Sequence, residues 1–183
     1  RDEECAKGKI ALLTKQRAGL LQMVRSVEAF VEQSELAGVF GMGQAETTVS
    51  WNEDGLACKA RPDYLTDKWH ISLKTTEGSV DPKNWIKRQL GPMGYAFGLA
   101  YYKRGLLANG RNIEHRFLCI EQGEPYGCTV VGMDPARWAY ADRQVEQSLE
   151  LWRKCVKDEY YPGYSSETYF AELLPWEIDE IEF

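Results

Sequence analysis

The chain has 183 residues, of which 44% are hydrophobic and 27% charged, and its formal net charge is −6. This length and balance fit one globular domain and argue against a disordered or fibrous chain. No apolar run is long enough to span a bilayer and the first nine residues lack the apolar stretch of a signal peptide, so a cytoplasmic location is expected.

The first half of the chain predicts a helix followed by short strands. Apolar residues at helical spacing predict the helix over 10–36, and glycines from Gly38 onward should end it. Three β signals follow, over 46–52, 56–63 and 69–74. Residues 52–55 suit a hairpin turn between the first two strands.

The second half predicts helices with clear start signals around two further strands. Asp81 and Asp134 each precede a proline, and Asp can cap a helix whose first turn accepts Pro. The helix from Asp81 should break at Gly91 and resume over 95–106. Strands are predicted over 114–121 and 126–132, and the apolar stripe of the last helix, including Trp152 and Val156, is expected in the core. The order of the predicted helices and strands along the chain is that of an α+β protein.

Charge is distributed unevenly along this chain. Residues 166–183 hold six acids and no Lys or Arg, so the rest is formally neutral. Large apolar residues alternate with these acids, which fits a solvated terminus or a segment that docks on another copy of the chain. The stretch 82–116 contains seven basic residues and a single acid. The basic residues are Lys83, Lys87, Arg88, Lys103, Arg104, Arg111 and Arg116. That stretch fits a path for a nucleic-acid backbone or a solvated helix face.

Cysteine and histidine are too sparse for the common metal and thiol sites. The five cysteines are scattered without a CxxC pair, and the two histidines are His70 and His115. No Cys lies near a His in a pattern typical of thiol hydrolases. Any metal would be held mainly by oxygen, which favours magnesium or manganese.

Three predicted strands bring together the candidate catalytic residues. Side chains alternate along a strand, so Ser72 and Lys74 share a face, and a hairpin would bring Asp63 near them. Glu46 could join the same end of the sheet. Carboxylates that hold a divalent ion and a lysine that orients water suit metal-assisted phosphodiester hydrolysis. An Asp and a Lys on neighbouring strands also fit a surface ion pair.

Two short motifs surround these residues: Lys59-Ala60-Arg61-Pro62-Asp63 and Leu73-Lys74-Thr75-Thr76. Together they resemble the second and third motifs of the PD-(D/E)XK nucleases, and more narrowly the RecE-like exonuclease domains of phages and prophages. Further matches follow in order: Glu46 before Ser50-Trp51, Tyr95 before Ala100-Tyr101-Tyr102, Glu124-Pro125-Tyr126, and Pro162-Gly163-Tyr164. The resemblance covers roughly residues 45–164 and implies a mixed five-stranded sheet flanked by helices. The chain length predicts one domain over 1–183, with the acidic tail beginning near 166.

The resemblance also implies roles for individual residues and for the protein. Asp63 would be a metal ligand, Lys74 the catalytic lysine and Glu46 the upstream acid, with the Leu73 carbonyl as a further ligand for Mg²⁺ or Mn²⁺. The implied activity is an exonuclease on ends of linear double-stranded DNA, which leaves single strand for an annealing recombinase in a bacterial or phage-infected cell. Such enzymes form rings of several copies around DNA. The expected DNA-binding residues are Arg61, Lys83, Lys87, Arg88, Lys103 and Arg104.

Three positions depart from the family pattern. Ser72 stands where the family has Asp or Glu, Gly98 stands near a family Gln, and no histidine precedes His70 to match the metal-binding one on an early helix. A neutral hydroxyl is a poor magnesium ligand, so a second hypothesis is a nuclease-fold protein that binds DNA without cutting it. Alternatively, another acid replaces the missing one, with three candidates: Asp67, Glu77 and Glu121.

Overall fold

The computed structural model describes residues 13–173. Its strands are β1 (Gln44–Ala45), β2 (Val49–Glu53), β3 (Leu56–Ala60), β4 (Tyr64–Leu65), β5 (Trp69–Thr76), β6 (Glu114–Glu121) and β7 (Cys128–Val131). Its α-helices are α1 (Thr14–Glu32), α2 (Pro82–Trp85), α3 (Tyr95–Ala108) and α4 (Pro135–Asp158), with a 3₁₀ turn at Val39–Gly41 and a π-helical turn at Ile86–Leu90. Within this part of the chain, no helix is long and apolar enough to cross a membrane.

A five-stranded mixed sheet with the order β1-β4-β5-β6-β7 forms the centre of the fold. β5 and β6 are parallel, and the other neighbouring strands are antiparallel. Helices flank this sheet, so the predicted α+β class with a mixed five-stranded sheet is confirmed.

The second predicted strand, over 56–63, is wrong in its extent. β2 and β3 form a separate two-stranded sheet that ends at Ala60, with the predicted turn closed by a 2.9 Å hydrogen bond from the Gly55 amide to the Asn52 side chain. Pro62 has no N–H to donate to a ladder, so pairing does not continue through it. Asp63 therefore lies in the segment of chain that connects the two sheets, directly before β4.

Buried residues lie on both faces of the central sheet, as expected for parallel strands at its centre. Alternate residues of β5 and β6 point to opposite faces. On one face, Ile71 and Leu118 pack with the region of α1, including Val31 and Leu36. The other face packs against side chains from α2, α3 and α4; its buried residues include Phe117, Val131, Trp85, Leu99, Ala141 and Val145.

Helix boundaries follow local hydrogen bonds. Asp81 and Asp134 accept backbone N–H bonds of 3.0 and 2.6 Å at the starts of α2 and α4, as their positions before proline predicted. α1 ends at Glu32, earlier than predicted, because the Ser34 side chain bonds the Val31 carbonyl at 3.0 Å and the Leu36 amide at 3.1 Å. The part of that prediction over 10–12 lies outside the described residues.

The chain divides into two compact units, Arg1–Leu149 and Glu150–Phe183. The described part of the second unit, 150–173, contains the end of α4 and a segment without regular secondary structure, and the rings of Trp152 and Tyr161 lie 5.7 Å apart. Trp152 is 53% exposed and Val156 44% exposed, so the expectation that both lie in the core is wrong. The prediction of one domain stays a prediction, and most of the acidic tail lies outside the described residues.

Candidate active site

A tight hairpin between β4 and β5 places three of the four candidate catalytic residues together: Asp63, Ser72 and Lys74. Tyr64 pairs with Ile71 in antiparallel register, which sets Asp63 beside Ser72 across the hairpin. The Asp63 carboxylate accepts a 3.1 Å hydrogen bond from the Ser72 hydroxyl and a 2.8 Å bond from the Leu73 amide, both at Oδ2. The structure thus brings Asp63 and Ser72 into direct contact.

Lys74 completes the cluster from the same face of β5. Its Nζ donates to the Ser72 hydroxyl oxygen at 2.8 Å and to the Leu73 carbonyl at 3.1 Å, and lies 3.6 Å from Asp63 Oδ2. The Ser72 hydroxyl therefore accepts from the lysine and donates to the carboxylate. The ring of Tyr95, on α3, lies 5.2 Å from Nζ, close enough for a cation–π contact.

Glu46 lies beside this cluster but is paired with another residue. Its backbone amide donates to the Asp63 carbonyl at 3.0 Å, and its φ of 55° is in the left-handed region that non-glycine residues seldom adopt. The Glu46 carboxylate lies 2.8 Å from Arg61 Nε, and both side chains are more than half exposed. Glu46, Asp63 and Leu73 nevertheless line one pocket of about 340 Å³.

Two buried histidines lie behind the site. His70 is on β5, two residues before Ser72, and its Nδ1 is 3.0 Å from Nδ1 of His115 on β6. Burial, followed by the charges of His115 and Lys74, lowers the pKa of His70 from 6.5 to about 3. Burial likewise lowers the pKa of His115 to about 4. Both rings are neutral near pH 7, so one Nδ1 donates to the other.

Sequence reasoning assigned no role to two tyrosines of α3 that lie near these groups. Tyr95 contacts the Lys74 ammonium, and the ring of Tyr102 lies 5.4 Å from that of His70. Burial raises the pKa of Tyr102, and the carboxylates of Asp63 and Glu46 add to the shift. The two tyrosines are seven residues apart, about two helical turns, which places them on one face of α3. This spacing is the sequence signal that could have identified them together.

The predicted DNA-binding residues fall into two groups. Three of them, Lys83, Lys87 and Arg88, are exposed and form no ion pair with other residues in the range 13–173. Trp85, between them, stacks on Tyr95 at 5.9 Å with an interplanar angle of 21°. Tyr95 also contacts Lys74, so the Tyr95 ring lies between Trp85 of this segment and the candidate active site.

The other predicted DNA-binding residues are paired with acids. Lys103 lies 3.7 Å from Asp142, and Arg104 binds Glu53 at 2.8 Å and also Glu146. Arg61 is paired with Glu46, as described above. Their charges are offset locally, whereas Lys83, Lys87 and Arg88 have no acid paired with them within residues 13–173.

The donor set at this site does not fit a divalent metal ion. Asp63 supplies a carboxylate, but the Ser72 hydroxyl is neutral, and the Leu73 carbonyl is already bonded to Lys74. Across residues 13–173, no three His, Cys, Asp or Glu side chains group closely enough to hold a metal. None of the three candidate substitutes belongs to such a group within this range: Asp67, Glu77 and Glu121.

Comparison with protein families matches residues 3–172 to a PDDEXK-like domain of unknown function, DUF3799. Among solved structures, the fold is similar to a crystal structure named "Putative exonuclease" from Eubacterium rectale, with a TM-score of 0.61 and 14% sequence identity. The similarity covers 86% of this chain and 64% of that one, so the chain spans less than two thirds of its neighbour. Comparison with curated proteins gives no match. The PD-(D/E)XK resemblance is confirmed, and the narrower RecE-like assignment stays a prediction.

Proposed function

Because the chain belongs to the PDDEXK-like domain family DUF3799, we propose that it binds double-stranded DNA at a nuclease-type site without metal-dependent cleavage. The observation that carries this proposal is the hydroxyl of Ser72, which bridges Lys74 and Asp63 at the position of the family's second acid. One carboxylate beside a neutral hydroxyl is a weak attraction for magnesium, which gives up its waters reluctantly.

The basic segment beside the site supports a DNA-binding function. Lys83, Lys87 and Arg88 are exposed, and the stacked rings of Trp85 and Tyr95 connect their helix to the Lys74 side chain. Each lysine or arginine that contacts a phosphate releases counterions, which makes affinity fall as salt rises. The slope of log affinity against log salt therefore reports how many of these residues contact the backbone.

A second candidate function is a magnesium- or manganese-dependent exonuclease on ends of linear double-stranded DNA. The observations that favour it are the retained contact between Asp63 and Lys74 and the pocket that Glu46 and Asp63 line together. Under this candidate, Glu46 would leave Arg61 to act as the second acid. The product strand would serve a single-strand annealing recombinase, and several copies would enclose the DNA as a ring.

Cleavage of an end-labelled linear duplex, with and without Mg²⁺, separates the two candidates. We expect the unaltered chain and Ser72→Ala to bind without cutting, because neither has a second carboxylate. Ser72→Asp should cut in Mg²⁺, and Ser72→Asp with Lys74→Ala should not. The rate difference should be roughly a thousandfold or more, as expected when several kcal/mol of transition-state stabilisation are removed. If the unaltered chain cuts as fast as Ser72→Asp, the exonuclease candidate is correct.

Binding of the same duplex, followed by fluorescence anisotropy in a salt series without metal, tests the DNA-binding proposal. Replacing Lys83, Lys87 and Arg88 by Ala should lower affinity and reduce the salt slope by about 0.9 for each phosphate that the protein no longer neutralises. Replacing Lys154 and Lys157, two exposed lysines near the end of α4, is the matched control. Equal slopes for the triple variant and the unaltered chain would refute this path for the DNA.

A further inference from the structure

The ammonium group of Lys74 is surrounded by oxygen atoms. Ser72 Oγ lies 2.8 Å from Nζ, the Leu73 carbonyl oxygen 3.1 Å and Asp63 Oδ2 3.6 Å. The first two distances are normal for charge-assisted hydrogen bonds, and the third is an ion pair. These three oxygens are also the ones that the site would offer to a metal ion.

We propose that the Lys74 ammonium is the resident cation of this site and takes the place of a divalent metal. This inference deepens the proposed function and rests on it, because it explains why a DNA-binding site of this fold would work without metal. The Asp63 carboxylate and the Lys74 ammonium cancel in formal charge, and the neutral Ser72 hydroxyl adds none. The cluster is therefore formally neutral without a metal cation.

Two further contacts favour an ammonium over a divalent ion at this position. The Tyr95 ring lies 5.2 Å from Nζ on α3 and stabilises a positive charge that carries few bound waters. Lys74 is 23% exposed in its side chain, so its charge is only partly screened by solvent. A divalent ion that approached the same oxygens would be repelled by the ammonium at contact distance.

Titration of Mn²⁺ into the DNA-free protein, followed by electron paramagnetic resonance of the free ion, tests the inference. Lys74→Met keeps the aliphatic stem and removes the charge, whereas Lys74→Arg keeps the charge and is the matched control. We expect Lys74→Met to bind one Mn²⁺ about tenfold or more tightly than the unaltered chain, because the repulsion has gone. Lys74→Arg should bind as weakly as the unaltered chain, and adding Asp63→Asn to Lys74→Met should abolish the increase in affinity.

The inference is overturned if the unaltered chain binds Mn²⁺ as tightly as Lys74→Met at a site that Asp63→Asn removes. Equal, weak binding by both would also overturn it, because the missing carboxylate alone would then account for metal exclusion. If Lys74→Met does not fold, Lys74→Gln removes the charge and supplies the same comparison. DNA binding without metal is measured separately, so a failure of the proposed function is distinguishable from a failure of this inference.

Discussion

Lowering the pH from 7.5 to 5.5 should destabilise the fold through the buried pair of His70 and His115. Their pKa values in the folded state are about 3 and about 4, against an ordinary value of 6.5. Between these limits the unfolded chain binds protons that the folded chain does not. The free energy of unfolding is therefore highest above pH 6.5 and falls as the pH is lowered through that value toward the folded pKa values.

The size of this effect follows from linkage. At pH 5.5, an unfolded histidine with a pKa of 6.5 is about nine-tenths protonated, whereas both folded rings remain neutral. Each ring then costs about 1.4 kcal/mol relative to pH 7.5, so the pair costs about 3 kcal/mol. The chain has two histidines in all, and carboxylates titrate mainly below this range.

Urea unfolding followed by tryptophan fluorescence at the two pH values measures the change in stability. His70→Phe should lose about half as much stability as the unaltered chain between pH 7.5 and 5.5, because His115 alone still titrates. Ile71→Val is the matched control: it removes a buried methylene from the same strand, keeps both histidines and should show the full pH effect. If His70→Phe and the unaltered chain lose the same amount, the buried pair does not cause the pH dependence.

Three further predictions concern packing and capping. Leu118→Ala empties a fully buried position of β6 and should lower the free energy of unfolding by about 2–5 kcal/mol in urea titrations. In α3, a Cβ at Gly105 would lie 2.5 Å from a ring carbon of Trp51, whereas one at Gly98 meets nothing within 4 Å. Gly105→Ala should therefore lower the free energy of unfolding by about 1–3 kcal/mol and Gly98→Ala raise it by about 0.5–1 kcal/mol, measured as opposite shifts of the melting temperature; shifts of the same sign would contradict this reasoning. Asp134→Ala should lower the free energy of unfolding by about 1 kcal/mol because it removes the N-terminal cap of α4, whereas Asp134→Asn keeps the cap. If the Ala and Asn variants are equally stable, the cap contributes nothing.

The sequence alone determined the features that depend on short-range rules. The start of α4 at Asp134-Pro135 and the strand over 114–121 were predicted as the structure has them, because capping and β-type alternation act over a few residues. The two motifs that contain Asp63 and Lys74 also indicated the correct nuclease family. The end of α1 at Glu32 was missed although its signal is also local: the Ser34 side chain bonds the backbone three residues before it and two residues after it.

Only the tertiary structure decided which distant groups meet. The His70–His115 contact joins residues 45 positions apart, because β5 and β6 pair in parallel register after an intervening crossover. The same long-range packing sets Arg104 against acids from two other elements and leaves Lys87 without an ion pair among the described residues. The hairpin of β4 and β5 brings the Asp63 carboxylate to Lys74, whereas Ser72 and Leu73 are neighbours of Lys74 on β5 and strand alternation had already predicted that Ser72 shares its face. The long-range placements of His115 and Arg104 follow from how strands and helices pack, and no spacing along the chain specifies them.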